Sequence, residues 1–237
     1  MNMLILHLPR DSRRAPNVAR LCEMFPQAHV IDAVRGADVI ARGAAQIAHG
    51  NLHRPHYPFE IGGGELGCFL SHRAAWQRII DEGWDHALIV EDDMEPVAEL
   101  WPELEALLAR HPLADMYVRL PAKARETGRT IDGEERAALI LPRRIGLQTV
   151  AQVVGRNAAQ RLLDTSATID RPVDTFLQMH WITGQPVHAI LPCPVRELTG
   201  ELGGSTIQKK TRANGKLTRE IKRALYRARV AMRPQRV

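Results

Sequence analysis

Short apolar runs alternate along this chain with stretches whose apolar residues recur at helical spacing, and that alternation leaves few architectures open. Residues 4–8, 29–34, 86–90, 115–120, 137–141, 149–154 and 187–191 have the length and apolar character of buried strands. Helical patterning occupies 37–48, 65–82, 96–110, 157–163 and 173–182, with Gly83 as a C-terminal stop and Pro96 as a first-turn residue. A further helix is expected after Ser12, which can cap it, because Val18, Leu21, Cys22 and Phe25 fall at i, i+3, i+4 and i+7. Residues 50–64 and 121–136 read as loops. Strands and helices in such short alternating units predict an α/β sandwich around a central, mostly parallel sheet.

The length of 237 residues suits one sizeable α/β domain, and 45% hydrophobic with 25% charged residues is ordinary for a soluble globular protein. No apolar run approaches the roughly 20 residues that a bilayer span needs. The first eight residues lack the charged leader and cleavage site of a signal peptide, and read as the first strand. Cys22, Cys68 and Cys193 lie far apart without metal-ligand spacing, so reduced thiols and a cytoplasmic setting are expected.

Charge divides the chain. Residues 209–237 hold eleven Lys and Arg against one acid, Glu220, a surplus of ten on a chain of net charge +5, so the remainder is acidic by five. Within this tail Leu217, Ile221, Leu225, Ala228 and Met232 recur at helical spacing among the cations. That pattern predicts an amphipathic helix attracted to an anionic membrane surface, with a solvated or domain-packed helix as the plainer alternative. One aromatic, Tyr226, and no reader motif argue against nucleic acid as the partner. The expected division is a domain over 1–208 and a basic, membrane-docking tail over 209–237.

The most informative segment is Ala87-Leu88-Ile89-Val90-Glu91-Asp92-Asp93. An apolar strand there delivers three consecutive carboxylates to its C-terminal end, the edge at which open α/β sheets bind ligands. Adjacent negative charges repel, and a hard divalent cation with oxygen ligands would offset the repulsion. Such an ion could draw charge from a departing diphosphate. The competing reading makes Asp93 a cap for the next helix.

Three separated segments resemble glycosyltransferase family 25, which includes lipooligosaccharide galactosyltransferases and other envelope-glycan enzymes. Gly64-Glu65-Leu66-Gly67-Cys68-Phe69-Leu70-Ser71-His72 is similar to the family's G-E-x-G-C-x-x-S-H signature, and the strand ending in Glu91-Asp92-Asp93 to its second hallmark. Residues 6–14 resemble its opening, although His7 and Pro9 depart from the usual residues. Residues 153–163 and Pro172-Val173-Asp174 look like its later strand–helix unit and its P-V-D motif. The resemblance runs in order over roughly residues 3–207.

It implies a Rossmann-type fold of GT-A class and transfer of a hexose, galactose or glucose, from a UDP-sugar to an envelope oligosaccharide, with inversion. It further implies Mn2+ or Mg2+ at Asp92 and Asp93, with Asp93 catalytic, and Glu91 beside them at the donor. Leu8, Arg10 and Arg14 would lie near the nucleotide, and Ser71 and His72 would line the donor pocket. Asp174 would be the general base; on capping preference alone it is equally a helix N-cap. The triple glycine 62–64 reads as a flexible approach to the helix that follows. Localisation would be cytoplasmic, peripheral on the inner face of the plasma membrane. The alternative is a non-catalytic module that binds a sugar nucleotide or glycan on the same scaffold.

Overall fold

The structure, a computed structural model, describes residues 1–204 and 216–236. The expected boundary between 208 and 209, the start of the tail and the Leu217 side chain lie outside the described residues. The elements in order are β1 (Met3–His7), α1 (Ala15–Met24), β2 (Ala28–Asp32), α2 (Gly36–Ala41), α3 (Gly63–Asp81), β3 (His86–Glu91) and β4 (Met94–Pro96). Then come α4 (Trp101–Ala109), β5 (Tyr117–Arg119), β6 (Gly128–Gly133), β7 (Ala138–Pro142), β8 (Ala151–Gly155) and α5 (Arg156–Asp164). The chain continues through α6 (Val173–Leu177), α7 (His180–Thr183), β9 (Val187–Leu191), β10 (Val195–Glu197) and α8 (Lys216–Ala231).

Eight strands form one sheet in the order β2-β1-β3-β8-β5-β9-β7-β6. The pairings orient six of them alike and only β7 and β8 oppositely, which is the mostly parallel sheet that the alternation predicts. The strand period of two sorts each buried strand between two cores. Met3, Ile5, Leu88 and Val90 pack on one face against Leu21 of α1 and Leu104 and Leu107 of α4. Leu4, Leu6, Ala87 and Ile89 pack on the other with Leu66, Phe69, Trp76 and Ile79 of α3 and Leu162 of α5.

Several boundaries differ from expectation, and at β4 and β6 a distant strand pairing outweighs local pattern. Ser12 caps nothing: α1 starts at Ala15 with proline in its first turn and no side-chain cap. The helix expected over 37–48 stops at Ala41. Pro96 does not open a helix but ends β4, which pairs with β10, while Asn17 Nδ2 donates to the Asp92 and Met94 carbonyls at 2.9 and 3.0 Å. The loop over 121–136 contains β6, held against β7. Met179, in a non-helical conformation, splits the segment over 173–182 into α6 and α7. The triple glycine 62–64 opens α3 rather than forming a flexible approach, with Gly62 as N-cap and Gly63 and Gly64 in the first turn. A helical turn later Gly67 is a close-packing position, where a Cβ would lie 2.4 Å from the Val34 carbonyl oxygen.

The described part of the basic tail is docked on the domain. Arg171, fully buried and paired with Asp170, donates from Nη1 to the Tyr226 hydroxyl at 2.9 Å. Beyond α8, Gln235 spans β7 and β9: its Oε1 accepts from Val187 N at 2.8 Å, and its Nε2 donates to the Pro142 and Val187 carbonyls at 2.8 and 2.9 Å.

Candidate functional site

The end of β3 sends its three carboxylates to different surroundings. Asp92 turns inward, 5% exposed: Oδ2 meets His7 Nδ1 at 2.8 Å, and Oδ1 accepts from Arg14 Nη1. Glu91 and Asp93 instead line a cleft of about 1560 Å3. Glu91 Oε1 accepts from the Thr149 hydroxyl at 2.8 Å and lies 3.8 Å from His72 Nε2. Burial opposes the Glu91 charge, yet His72, Thr149 and Arg14 hold its pKa below the ordinary carboxylate range.

Asp93 is the strained member. Its Oδ2 accepts from the Thr199 hydroxyl at 2.5 Å and lies 3.0 Å from Arg14 Nη2, whereas Oδ1 is buried without a hydrogen-bond partner. Burial, and then the negative charge of Glu91, push its pKa up to about 6 despite Thr199 and Arg14. An orphaned buried carboxylate oxygen is costly, and it marks where a cation or a proton is wanted.

The rest of the cleft comes from segments far apart in sequence. Glu65 and Cys68 stand on α3, where Glu65 also accepts from Gly62 N at 2.9 Å across the first turn. Asp174 enters from the first turn of α6, with Thr175 N donating to Oδ1 at 2.7 Å and Gln148 N to Oδ2 at 3.3 Å. Pro172, not Asp174, occupies the N-cap of that helix. The buried pair Arg119–Glu126 braces the wall, Arg119 Nη2 donating to the Leu147 carbonyl at 2.6 Å and Glu126 accepting from Gly146 N at 2.7 Å. Residues of α8, among them Arg219, Arg223 and Tyr226, close the opposite side.

Of the residues singled out from sequence, Arg14, Glu91, Asp93 and Asp174 meet in this one cleft. His72 stands behind Glu91, fully buried, its Nδ1 3.2 Å from Gln152 Nε2. Ser71 is corrected from pocket lining to tether: its hydroxyl donates to the Gly67 carbonyl at 2.7 Å and accepts from Val34 N at 2.8 Å, and the residue is buried away from the cleft. Leu8 and Arg10 sit in the turn after β1 and do not line the cleft, since the chain bends away there with Asp11 N donating to the Leu8 carbonyl at 2.9 Å. Asp92 is likewise no cleft residue; its oxygens face His7 and Arg14.

Sequence reading missed Tyr57, Phe59, Arg119, Gln148, Thr149 and the α8 contributors, none of which carries a local signal of function. It also missed Cys68, although this residue lies within the signature. Among the described residues, Cys68, His72 and Glu91 each offer a ligand atom, all within 4.8 Å of one another. No helix among the described residues is long and apolar enough to cross a membrane.

The family profile described as "Glycosyltransferase family 25 (LPS biosynthesis protein)" matches residues 1–177. Procollagen galactosyltransferase 1 of Danio rerio is 28% identical over 180 residues, covering 72% of this chain and 29% of that protein. Inactive glycosyltransferase 25 family member 3 of Homo sapiens is 31% identical over 103 residues, covering 42% of this chain and 17% of its own. The chain thus spans less than a third of the length of these curated relatives. Among solved structures, A197 from STIV is similar with a TM-score of 0.43 and 12% identity, covering 80% of this chain and 81% of that one.

Proposed function

The chain belongs to glycosyltransferase family 25, and from that premise we propose that it transfers a hexose, galactose or glucose, from a UDP-sugar to a hydroxyl of an envelope oligosaccharide. The observation that carries the reading is the floor of the cleft. Asp93, with one carboxylate oxygen unsatisfied, sits beside Glu91 at the C-terminal edge of the sheet. A divalent cation, Mn2+ or Mg2+, fits this donor set of hard oxygens, and Asp93 with Glu91 would hold it. When bound, the ion neutralises charge developing on the leaving diphosphate. The expected pairing of Asp92 with Asp93 as ligands is revised, because Asp92 faces His7 and Arg14 and does not line the cleft.

The protein's own residues supply the remainder. Asp92 and Asp93 together clamp Arg14, whose buried Nε has no partner among the described residues and can donate to a phosphate oxygen. Asp174 accepts the proton of the acceptor hydroxyl as that oxygen bonds to the anomeric carbon. The bond from that carbon to the diphosphate oxygen breaks, and the electron pair leaves with UDP. Attack opposite the leaving group inverts the configuration. Glu65, whose pKa is raised by burial despite its bond from Gly62 N, borders the same chamber.

A second reading, a sugar-nucleotide or glycan binding module without turnover, draws support from relatives that are named inactive. Transfer from UDP-galactose and UDP-glucose, assayed with and without Mn2+, separates the two. Turnover that requires metal, and a kcat reduced by about 10²–10⁴-fold in Asp174→Asn, is expected. Metal-indifferent binding with no turnover would leave only the second reading.

The same proposal gives the protein an anionic membrane surface as partner, at the inner face of the plasma membrane. Ile221 and Leu225 on α8 and Met232 just after it are 52%, 54% and 73% exposed, while Tyr226 is buried against the domain. Exposed Lys222 and Arg229 flank that apolar stripe. Vesicles containing phosphatidylglycerol should retain the protein, and the triple change of Ile221, Leu225 and Met232 to Ser should release it. Equal retention of both forms would refute the docking.

A further inference from the structure

The cleft is electrically divided. Its floor carries Glu65, Glu91, Asp93 and Asp174, whereas its mouth gathers cations from three distant stretches of chain. Arg125 follows β5, Arg143 and Arg144 follow β7, and Arg219 and Arg227 stand on α8. All five are exposed, and among the described residues none forms an ion pair with an acid. The other cations of the cleft are engaged: Arg14 with Asp92 and Asp93, Arg119 with Glu126, Lys123 with Glu197, and Arg223 with Glu220, while Arg233 donates to the Arg54 carbonyl.

Elsewhere on the surface, acids commonly accompany Arg. Arg110 meets Asp132 and Glu134, Arg136 meets Glu103, Arg161 meets Asp115, and Arg196 meets Glu95. Among the described residues of this opening, five guanidinium groups without an ion-pair partner stand against the single exposed and unpaired acid Glu60, an imbalance that works against folding and draws anions in. Arg219 lies over the Phe59 ring, 5.6 Å from its centroid, which fixes its stem and leaves its charge at the opening. Arg219 shares a side with the proposed base: Asp174 and Arg219 both act on the Glu65 carboxyl. On the donor side the Arg14 charge is already paired with Asp92 and Asp93.

We infer that the acceptor is an anionic saccharide, whose phosphate or carboxylate groups are held at the mouth by Arg125, Arg143, Arg144, Arg219 and Arg227 while its reacting hydroxyl faces Asp174. Guanidinium forks match the planar or tetrahedral oxyanions of such groups. The inference rests on the proposed transferase reading, and it explains why α8 belongs to the cleft at all.

Binding of three probes by calorimetry tests it: a bisphosphorylated glucosamine disaccharide, a glucuronate-containing disaccharide, and neutral chitobiose. The wild-type chain should bind at least one charged probe about tenfold or more tighter than chitobiose, with the preference fading at high salt. Which charged probe wins tells phosphate from carboxylate. The double variants Arg143→Gln/Arg144→Gln and Arg219→Gln/Arg227→Gln change exposed, unpaired side chains and should still fold. Each should lose about tenfold for the charged probe and keep the wild-type affinity for UDP with Mn2+. Equal binding of charged and neutral probes, no binding of any, or a loss confined to UDP would overturn the inference. Because the readout is binding, charged-probe selectivity without turnover would sink the transferase reading alone. Efficient transfer to a neutral acceptor, with no preference for charge, would sink this inference alone.

Discussion

Replacing Asp93 by Asn should stabilise the protein at alkaline pH while abolishing transfer. Asp93 is 2% exposed, and burial beside Glu91 lifts its pKa from the ordinary 3.8 to about 6. The folded state therefore prefers the neutral carboxyl. That advantage is full below about pH 4, where both states are protonated, and is lost as pH rises through about 6. At about 1.4 kcal/mol per pH unit, ionising Asp93 in the fold costs about 3 kcal/mol above pH 7. Asn keeps the shape and removes the charge, at the expense of the contact with Arg14, which retains Asp92. A net gain of about 1–3 kcal/mol at pH 8 and none at pH 4 is expected, seen as a rise in urea midpoint of up to about 1 M that vanishes in acid. Mn2+ should raise the midpoint of the wild type at pH 8 and leave the variant unmoved. An Asn variant less stable than wild type at pH 8, or a difference independent of pH, would refute the electrostatic reasoning.

Three further substitutions probe the scaffold. Gly67→Ala drives a methyl group to 2.4 Å from the Val34 carbonyl and 2.9 Å from Gly36 N, both backbone, and should cost about 2–3 kcal/mol by chemical denaturation. Arg119→Met strands the buried Glu126 carboxylate and should cost about 3–5 kcal/mol; adding Glu126→Met should restore most of it, and no recovery would mean the pair does not act as a unit. Gln235→Ala removes three hydrogen bonds to β7 and β9, at about 1 kcal/mol each, and should speed amide exchange in 216–236. Unchanged exchange there would contradict the docked tail.

The strands and the acidic end of β3 were legible because they depend on local pattern. Residues 87–90 are apolar throughout since β3 is covered on both faces, and such a run followed by three acids can be read without knowing its neighbours. The signature around Gly67 was equally visible, but its physical purpose was not. Gly67 is required because the Val34 carbonyl and Gly36 N press against it, and both belong to a segment about thirty residues away. Similarly, β4 and β10 are three residues each and exist only because they pair with one another across the chain.

What the sequence determined alone was the architecture, the family signature, and the presence of a carboxylate-tipped strand beside a cationic tail. Periodicity and residue chemistry act over a few residues and survive in a one-dimensional record. Only the tertiary structure decided that Asp92 is spent on His7 and Arg14 while Asp93 keeps a bare oxygen in the cleft. It alone decided that α8, read as an appendage, forms a wall of the same chamber. Both outcomes turn on contacts between residues tens of positions apart, and no local pattern encodes which partner a side chain will meet.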